Sequence, residues 1–198
     1  MRAIAQMANV VTVRQQEPLG LGHAVWCARE LVGNEPFAVI LVDDLIRAEV
    51  PCLTQMVEAH ARTGGSIVAV EEVAAEHTNR YGVLEPGASD GRLVEIRGLV
   101  EKPHPAEAPS RLAVIGRYIL LPEVFEHLAL QQKGAGGEIQ LTDAMARMIG
   151  RRPFHGLRFE GRRFDCGARL GYLEAIVACA LEREDLRTEV RTILERHR

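Results

Sequence analysis

Phe37 to Val42 read FAVILV, and Asp43-Asp44 follow at once. An unbroken apolar run of this length is the pattern of a strand buried on both faces of a parallel sheet. Upstream, the β-branched run VVTVR at Val10–Arg14 predicts a strand. His23 to Val32 predict a helix, with Val25, Ala28 and Val32 at helical spacing. Downstream, Pro51 opens a helix to about Arg62 that Gly64-Gly65 ends, and Ser66 to Val73 (SIVAVEEV) predict the next strand. The order β-α-β-α-β argues for a doubly wound α/β layer. The middle differs. Tyr81–Glu85, Leu93–Glu101 and Leu112–Leu120 predict three strands between Gly- and Pro-containing turns, a mixed or antiparallel extension. Helices follow at about Pro122–Gln131, Gln140–Ile149, Ala168–Arg183 and Arg187–Arg196, with a last strand at Phe154–Phe159. No linker splits the chain, so residues 1–198 read as one domain, with 168–198 its C-terminal helical segment.

Of the 198 residues 47% are hydrophobic, enough for one core that removes roughly 70% of the unfolded surface. A net charge of -3 with Lys and Arg spread along the chain argues against the basic stripe of a nucleic-acid binder. The densest basic run, Arg151-Arg152 with Arg158, Arg162 and Arg163, is interrupted by Glu160 and reads as a solvated face. No apolar run approaches the ~18 residues of a membrane helix, and MRAIAQMANVV lacks the apolar core of a signal peptide. Cys27, Cys52, Cys166 and Cys179 form no CxxC pair, as expected of structural thiols in a reducing compartment. The histidines show no zinc-binding spacing. The expectation is a soluble cytoplasmic protein with no nucleic-acid or membrane partner.

Several short motifs carry chemistry, each beside a plainer reading. Arg14 to Val25 (RQQEPLGLGHAV) place Gly20 and Gly22 where a strand turns into a helix. Backbone there can approach a ligand closely, and equally the glycines can serve only the turn. As a dinucleotide fingerprint the motif lacks its third glycine, although Asp43 stands at a suitable distance. Asp43-Asp44, at the C-terminal end of FAVILV, suit a hard cation such as Mg²⁺ or a helix-initiating turn. Glu101-Lys102-Pro103 end a strand with a carboxylate for sugar hydroxyls and an ammonium for a phosphate, or with a surface ion pair. Asp165 precedes a helix, as an N-cap or as a second metal ligand opposite Asp43. Gly134 to Ala144, a glycine-rich loop running into a helix, lacks GK[ST] and is no P-loop.

The joint order is more specific than any one motif. RQQEPLGLGHAV, LVDD, RYGVLEP, VEKP, APSRLAVIGRYIL, GEIQLTDA and DCGARLGY together resemble the bacterial UTP–glucose-1-phosphate uridylyltransferases, or UDP-glucose pyrophosphorylases, from about Val10 to Glu195. The resemblance implies a three-layer α/β/α nucleotide-diphospho-sugar transferase (Rossmann-like) fold with a mixed sheet. It implies that UTP and glucose 1-phosphate give UDP-glucose and pyrophosphate with Mg²⁺ assisting, and that the protein self-associates. Carried over by position, Gln15 and Gly20 match residues reading the uracil edge, and Gly82 offers backbone to the glucose. Glu101 matches the carboxylate gripping sugar hydroxyls, and Lys102 the lysine on the sugar phosphate. Asp43 and Asp165 match the two metal-side aspartates.

The departures are Val42, where the family usually has Pro, and the absence of an initial GxGTRxLPxTKxxPKE loop that wraps the triphosphate. On this reading the fold is N-terminally incomplete, MRAIAQMANVV is the tail of the missing part and Met1 an internal start. Turnover is then expected to be very low, and the competing reading is a non-catalytic nucleotide-sugar-binding or assembly module. The same reading strips FAVILV of its sheet neighbours. It predicts either that VVTVR slides in beside it or that a second copy covers the open edge.

Overall fold

The computed structural model describes residues 7–197. Its core is a six-stranded sheet of β1 (Phe37–Ile40), β3 (Ser66–Glu72), β4 (Gly82–Asp90), β5 (Leu93–Glu101), β6 (Leu112–Leu120) and β7 (Phe154–Arg158). Their order is β1-β6-β3-β7-β5-β4, and β4 also touches β6 through Val83 and Ala113. Only β3 and β7 run parallel; β1–β6, β3–β6, β4–β5 and β5–β7 are antiparallel. A separate ribbon pairs β2 (Asp44–Arg47) with β8 (Arg162–Asp165). The helices are α1 (Leu21–Cys27), α2 (Arg29–Val32), α3 (Cys52–Thr63), α4 (Val124–Leu128), α5 (Leu141–Ala146), α6 (Arg169–Glu182) and α7 (Arg187–Arg196).

Both faces of the sheet are covered, which makes three layers. Ile67 and Ala69 of β3 pack with Met56 and Ala59 of α3 on one side. Val68 and Val70, one residue out of step, face Val25, Leu128, Leu141 and Met145 on the other. Alternate side chains of a strand point to opposite faces, so a continuous apolar run fits a doubly covered strand. That strand is β3, whose run SIVAV is buried throughout.

The pattern expected of FAVILV is therefore corrected. It forms β1 over Phe37–Ile40 only, antiparallel to β6 at the sheet's margin, with Ile40 half-exposed and Val42 98% exposed. The apolar run does not secure burial here: along β1 its residues alternate half-buried and exposed, because among the described residues no strand covers its outer edge. VVTVR is corrected too. Residues 9–15 belong to no strand, and Val10 and Val11 are exposed, so VVTVR does not slide beside β1. A β-branched run without a partner ladder gains little from its propensity. Among the described residues the outer edge of β1 has no strand neighbour. The opening residues MRAIAQ, read as the tail of a longer N-terminal part, lie outside the described residues.

The predicted helix at His23–Val32 breaks at Ala28 into α1 and α2, and the one at Pro122–Gln131 shrinks to α4. The helix after Pro51 stops where expected, with Gly64 at a left-handed φ of 65°. No helix among the described residues is long and apolar enough to cross a membrane.

Candidate active site

The β2–β8 ribbon sets the geometry of the acids. Asp44 lies directly opposite Asp165 in its register. Asp43 sits in the preceding turn, and its carbonyl accepts the Cys166 N–H at 2.7 Å. The carboxylates of Asp43 and Asp165 converge on Gly167: a Cβ there would stand 3.1 Å from Asp43 Oδ2 and 3.3 Å from Asp165 Oδ1. Glycine at 167 keeps that space open. Asp165 does not cap the following helix, whose N-cap is Ala168.

Asp44 has a different task from Asp43. It is 8% exposed; its Oδ2 accepts the Gly116 N–H at 2.8 Å, and its Oδ1 is engaged by Arg163 Nε. Both oxygens are taken by the fold, so the adjacent pair does not act as one cation site. Arg163, read from the sequence as part of a solvated face, is 8% exposed in its side chain. Burial works against its charge, but the Tyr81 hydroxyl and the Asp44 carboxylate outweigh it and hold the guanidinium firmly protonated. Arg163 Nη1 donates to the Tyr81 hydroxyl at 3.4 Å, and that hydroxyl donates to Asp165 Oδ2 at 3.4 Å. Arg80 Nη2 donates to the same Asp165 oxygen at 3.0 Å.

On the facing wall, Gly82 of β4 pairs with Glu101 of β5. A Cβ on Gly82 would come within 2.9 Å of Thr142 Oγ1 and 3.2 Å of Glu101 Oε2. The Glu101 side chain is 11% exposed, with Lys102 Nζ 3.7 Å from its Oε1. Lys102 adopts a left-handed φ of 47°, uncommon outside glycine, and its N–H donates to the Tyr81 carbonyl at 2.9 Å.

These walls enclose a cavity of about 360 Å³ bordered by Asp43, Asp165, Gly82 and Glu101 among the expected residues. Arg80, Tyr81, Tyr118, Gln140, Thr142 and Arg163 line it as well, and none of them had been given a role in the site from the sequence. Tyr118 is buried in the strand LAVIGRYIL, next to Arg117. Burial, then the charges of Glu101, Asp44 and Asp43, push its hydroxyl above its usual range, so it stays a neutral donor beside three acids. The signal available in the sequence was a phenol beside an arginine in a mainly aliphatic strand. Lys102 does not border the cavity and stands next to it through Glu101. A larger hollow of about 680 Å³, lined by Asp90, Glu95, Arg151 and His155, borders none of the expected residues. Convergent polar groups, rather than volume, single out the smaller cavity.

Gln15 and Gly20 touch each other, Gln15 Nε2 donating to the Gly20 carbonyl at 3.0 Å, but neither borders the cavity; their neighbour Leu21 does. The glycines of this turn are used by the chain itself. Gly22 N–H donates to the Ile139 carbonyl at 2.8 Å, and Ile139 N–H to the Leu19 carbonyl at 2.7 Å. A Cβ on Gly22 would stand 2.7 Å from the Ile139 carbonyl oxygen, and one on Gly20, at φ 109°, 2.8 Å from Glu138 Cβ. The close approach read from the sequence is thus made by the GEIQLTDA segment.

Among the described residues no three His, Cys, Asp or Glu side chains are grouped to hold a metal. Two carboxylates around an open glycine fit a hard cation of the Mg²⁺ type, which keeps several waters and draws its other ligands from substrate phosphates.

The profile of the nucleotidyl transferase family matches residues 2–180. The chain belongs to that family. It is 56% identical over 151 residues to a UTP–glucose-1-phosphate uridylyltransferase of Komagataeibacter xylinus, covering 76% of this chain and 53% of that protein. It is 44% identical over 191 residues to the enzyme of that name from Bacillus subtilis (strain 168), covering 96% of this chain and 65% of the relative. The chain thus spans between half and two-thirds of the length of these relatives. A UDP-glucose pyrophosphorylase complexed with UDP-glucose superposes with a TM-score of 0.88 at 43% identity, covering 92% of this chain and 70% of its own. A UTP-bound UGPase from Acinetobacter baumannii gives 0.84 at 36% identity, covering 94% and 65%. As a member of that family, the chain carries the mixed three-layer fold that the resemblance implied.

Proposed function

We propose that the chain transfers a uridylyl group from UTP to glucose 1-phosphate, giving UDP-glucose and pyrophosphate. The observation that carries this reading is the convergence of Asp43, Asp165, Gly82 and Glu101 on one cavity. Asp43 and Asp165 would hold a divalent cation, Mg²⁺, which when bound supplies positive charge to the phosphates. An oxygen of the sugar phosphate attacks the α-phosphorus of UTP, the bond from that phosphorus to the bridging oxygen breaks, and pyrophosphate leaves. No proton need be removed from a phosphate already ionised, so the protein's part is alignment and charge neutralisation.

The chain's own groups divide that work. The missing side chain at Gly82 lets backbone approach the glucose, and the nearly buried Glu101 accepts hydrogen bonds from its hydroxyls. Lys102 neutralises the sugar phosphate as a point charge, and Tyr118 offers a neutral hydroxyl. Gln15 and Gly20, joined beside Leu21, serve the uracil edge. The comparison structures named for UDP-glucose and UTP support this choice of ligands.

We take residues 1–198 as a single nucleotidyltransferase unit whose segment 168–198 is helical, and place it in the cytoplasm, in keeping with four free thiols. Self-association belongs to the same reading: the outer edge of β1 and the exposed Leu170, Leu173 and Ile176 of α6 offer surface for a second copy. Calorimetry with UDP-glucose and Mg²⁺, beside a pyrophosphate-release assay with UTP and glucose 1-phosphate, tests the function. Binding with turnover supports it, binding without turnover leaves a nucleotide-sugar-binding module, and no binding refutes both.

A further inference from the structure

Two of the carboxylates that border the cavity, Glu101 and Asp165, each have a cation of their own wall beside them. Lys102 stands 3.7 Å from Glu101, and Arg80 donates to Asp165 Oδ2 at 3.0 Å. The two arginines near Asp165 are built differently. Arg163 is buried, engaged with Asp44 and the Tyr81 hydroxyl, and has no room to leave. Arg80 is 49% exposed, ends the 3₁₀ turn Ala75–Arg80, and makes one side-chain hydrogen bond, to the oxygen that Tyr81 also serves. If that bond breaks, Tyr81 still holds Asp165, and the Tyr81 ring, 5.7 Å from the Arg80 guanidinium, still supports the arginine.

We propose that Arg80 is an exchangeable cation of this site: it neutralises Asp165 while no metal is bound there, and passes to the phosphates of the nucleotide sugar once a metal takes that carboxylate. The proposal rests on the uridylyl-transfer reading and adds a residue that couples metal to substrate. Three observations carry it. A metal beside Gly167 would meet Asp165 through Oδ1, while Arg80 holds Oδ2 of the same carboxylate, so the two cations compete for one negative charge. An exposed ion pair is weak enough to open without a large barrier. And Arg80 borders the cavity and lies beside Tyr81, whose carbonyl accepts the Lys102 N–H, so the released guanidinium stays on the segment that adjoins Lys102. A planar guanidinium can meet two phosphate oxygens at once, which an ammonium cannot.

The test is a thermodynamic cycle by calorimetry on the intact chain, with Mn²⁺ alone, UDP-glucose alone and both together, for the wild type and Arg80→Gln. The variant is expected to bind Mn²⁺ alone up to about fivefold more tightly, the size of a lost exposed ion pair. The factor by which Mn²⁺ tightens UDP-glucose should fall by about fivefold or more, since coupling between two ligands is reciprocal. An arginine acting only as a fixed nearby charge changes both affinities and leaves the coupling factor unaltered; that result overturns the proposal. A wild-type chain that binds neither Mn²⁺ nor UDP-glucose overturns the site assignment beneath it, and that failure is seen in the wild-type arm alone.

Discussion

Replacing Asp44 by Asn tests the ion pair at the floor of the cavity. The single amide oxygen can still accept the Gly116 N–H, which turns the amide NH2 towards Arg163, so the change removes both the negative charge and the acceptor that Arg163 used. Taking one partner from a buried ion pair costs about 3–5 kcal/mol, because the remaining charge stays desolvated. Here Glu71 Oε2 lies 3.6 Å from Arg163 Nη1 and the Tyr81 hydroxyl at 3.4 Å, so the lower end, about 3 kcal/mol, is expected. Against a typical total of about 5–15 kcal/mol this is large. With a slope of about 2–3 kcal/mol/M in urea it moves the unfolding midpoint down by about 1–1.5 M. Adding Arg163→Met to Asp44→Asn should recover part of the loss, since it removes the orphaned guanidinium. A shift below about 0.5 kcal/mol in the single variant would refute the buried-pair reasoning.

Three further outcomes follow from packing and burial. Gly82→Ala puts a methyl 2.9 Å from Thr142 Oγ1 and 3.2 Å from Glu101 Oε2, so UDP-glucose affinity by calorimetry should fall at least about tenfold for a stability loss of about 1–3 kcal/mol; unchanged affinity would remove Gly82 from the sugar wall. Burial pushes the Cys52 thiol up to about 11 from 9.0, so at pH 8 Cys52 should resist a thiol reagent that modifies the half-buried Cys27, Cys166 and Cys179. Because the folded state disfavours that thiolate, stability should decline as pH rises from about 9 towards 11, and Cys52→Ala should flatten that part of the curve.

The comparison of sequence with structure turns on which signals are local. The helix from Pro51, the strand SIVAVEEV and the three middle strands carry their own start, stop and period, and all form. FAVILV and VVTVR do not behave as read, because an apolar or β-branched run states a preference for burial or extension and not the identity of a neighbour. The ribbon of β2 and β8 was missed for a related reason: each strand has four residues, one beginning with an aspartate and the other with two arginines. That ribbon joins the Asp43 turn to Asp165 and buries Arg163, so the charge run looked solvated only until its partner Asp44 was placed. Motif order named Asp43, Asp165, Glu101 and Gly82, and the fold brings these four to one cavity. Arg80, Tyr118 and Thr142 were given no role, since an arginine, a phenol and a hydroxyl acquire meaning only from what faces them.

The central claim is that two acids far apart in sequence share one cation beside a sugar-binding wall. A crystal structure of the chain grown with UDP-glucose and Mn²⁺ tests it most directly. The account predicts an anomalous peak beside Gly167 between Asp43 and Asp165, with the glucose against Gly82 and Glu101. Manganese bound elsewhere, or the nucleotide sugar seated in the hollow of Arg151 and His155, would contradict it.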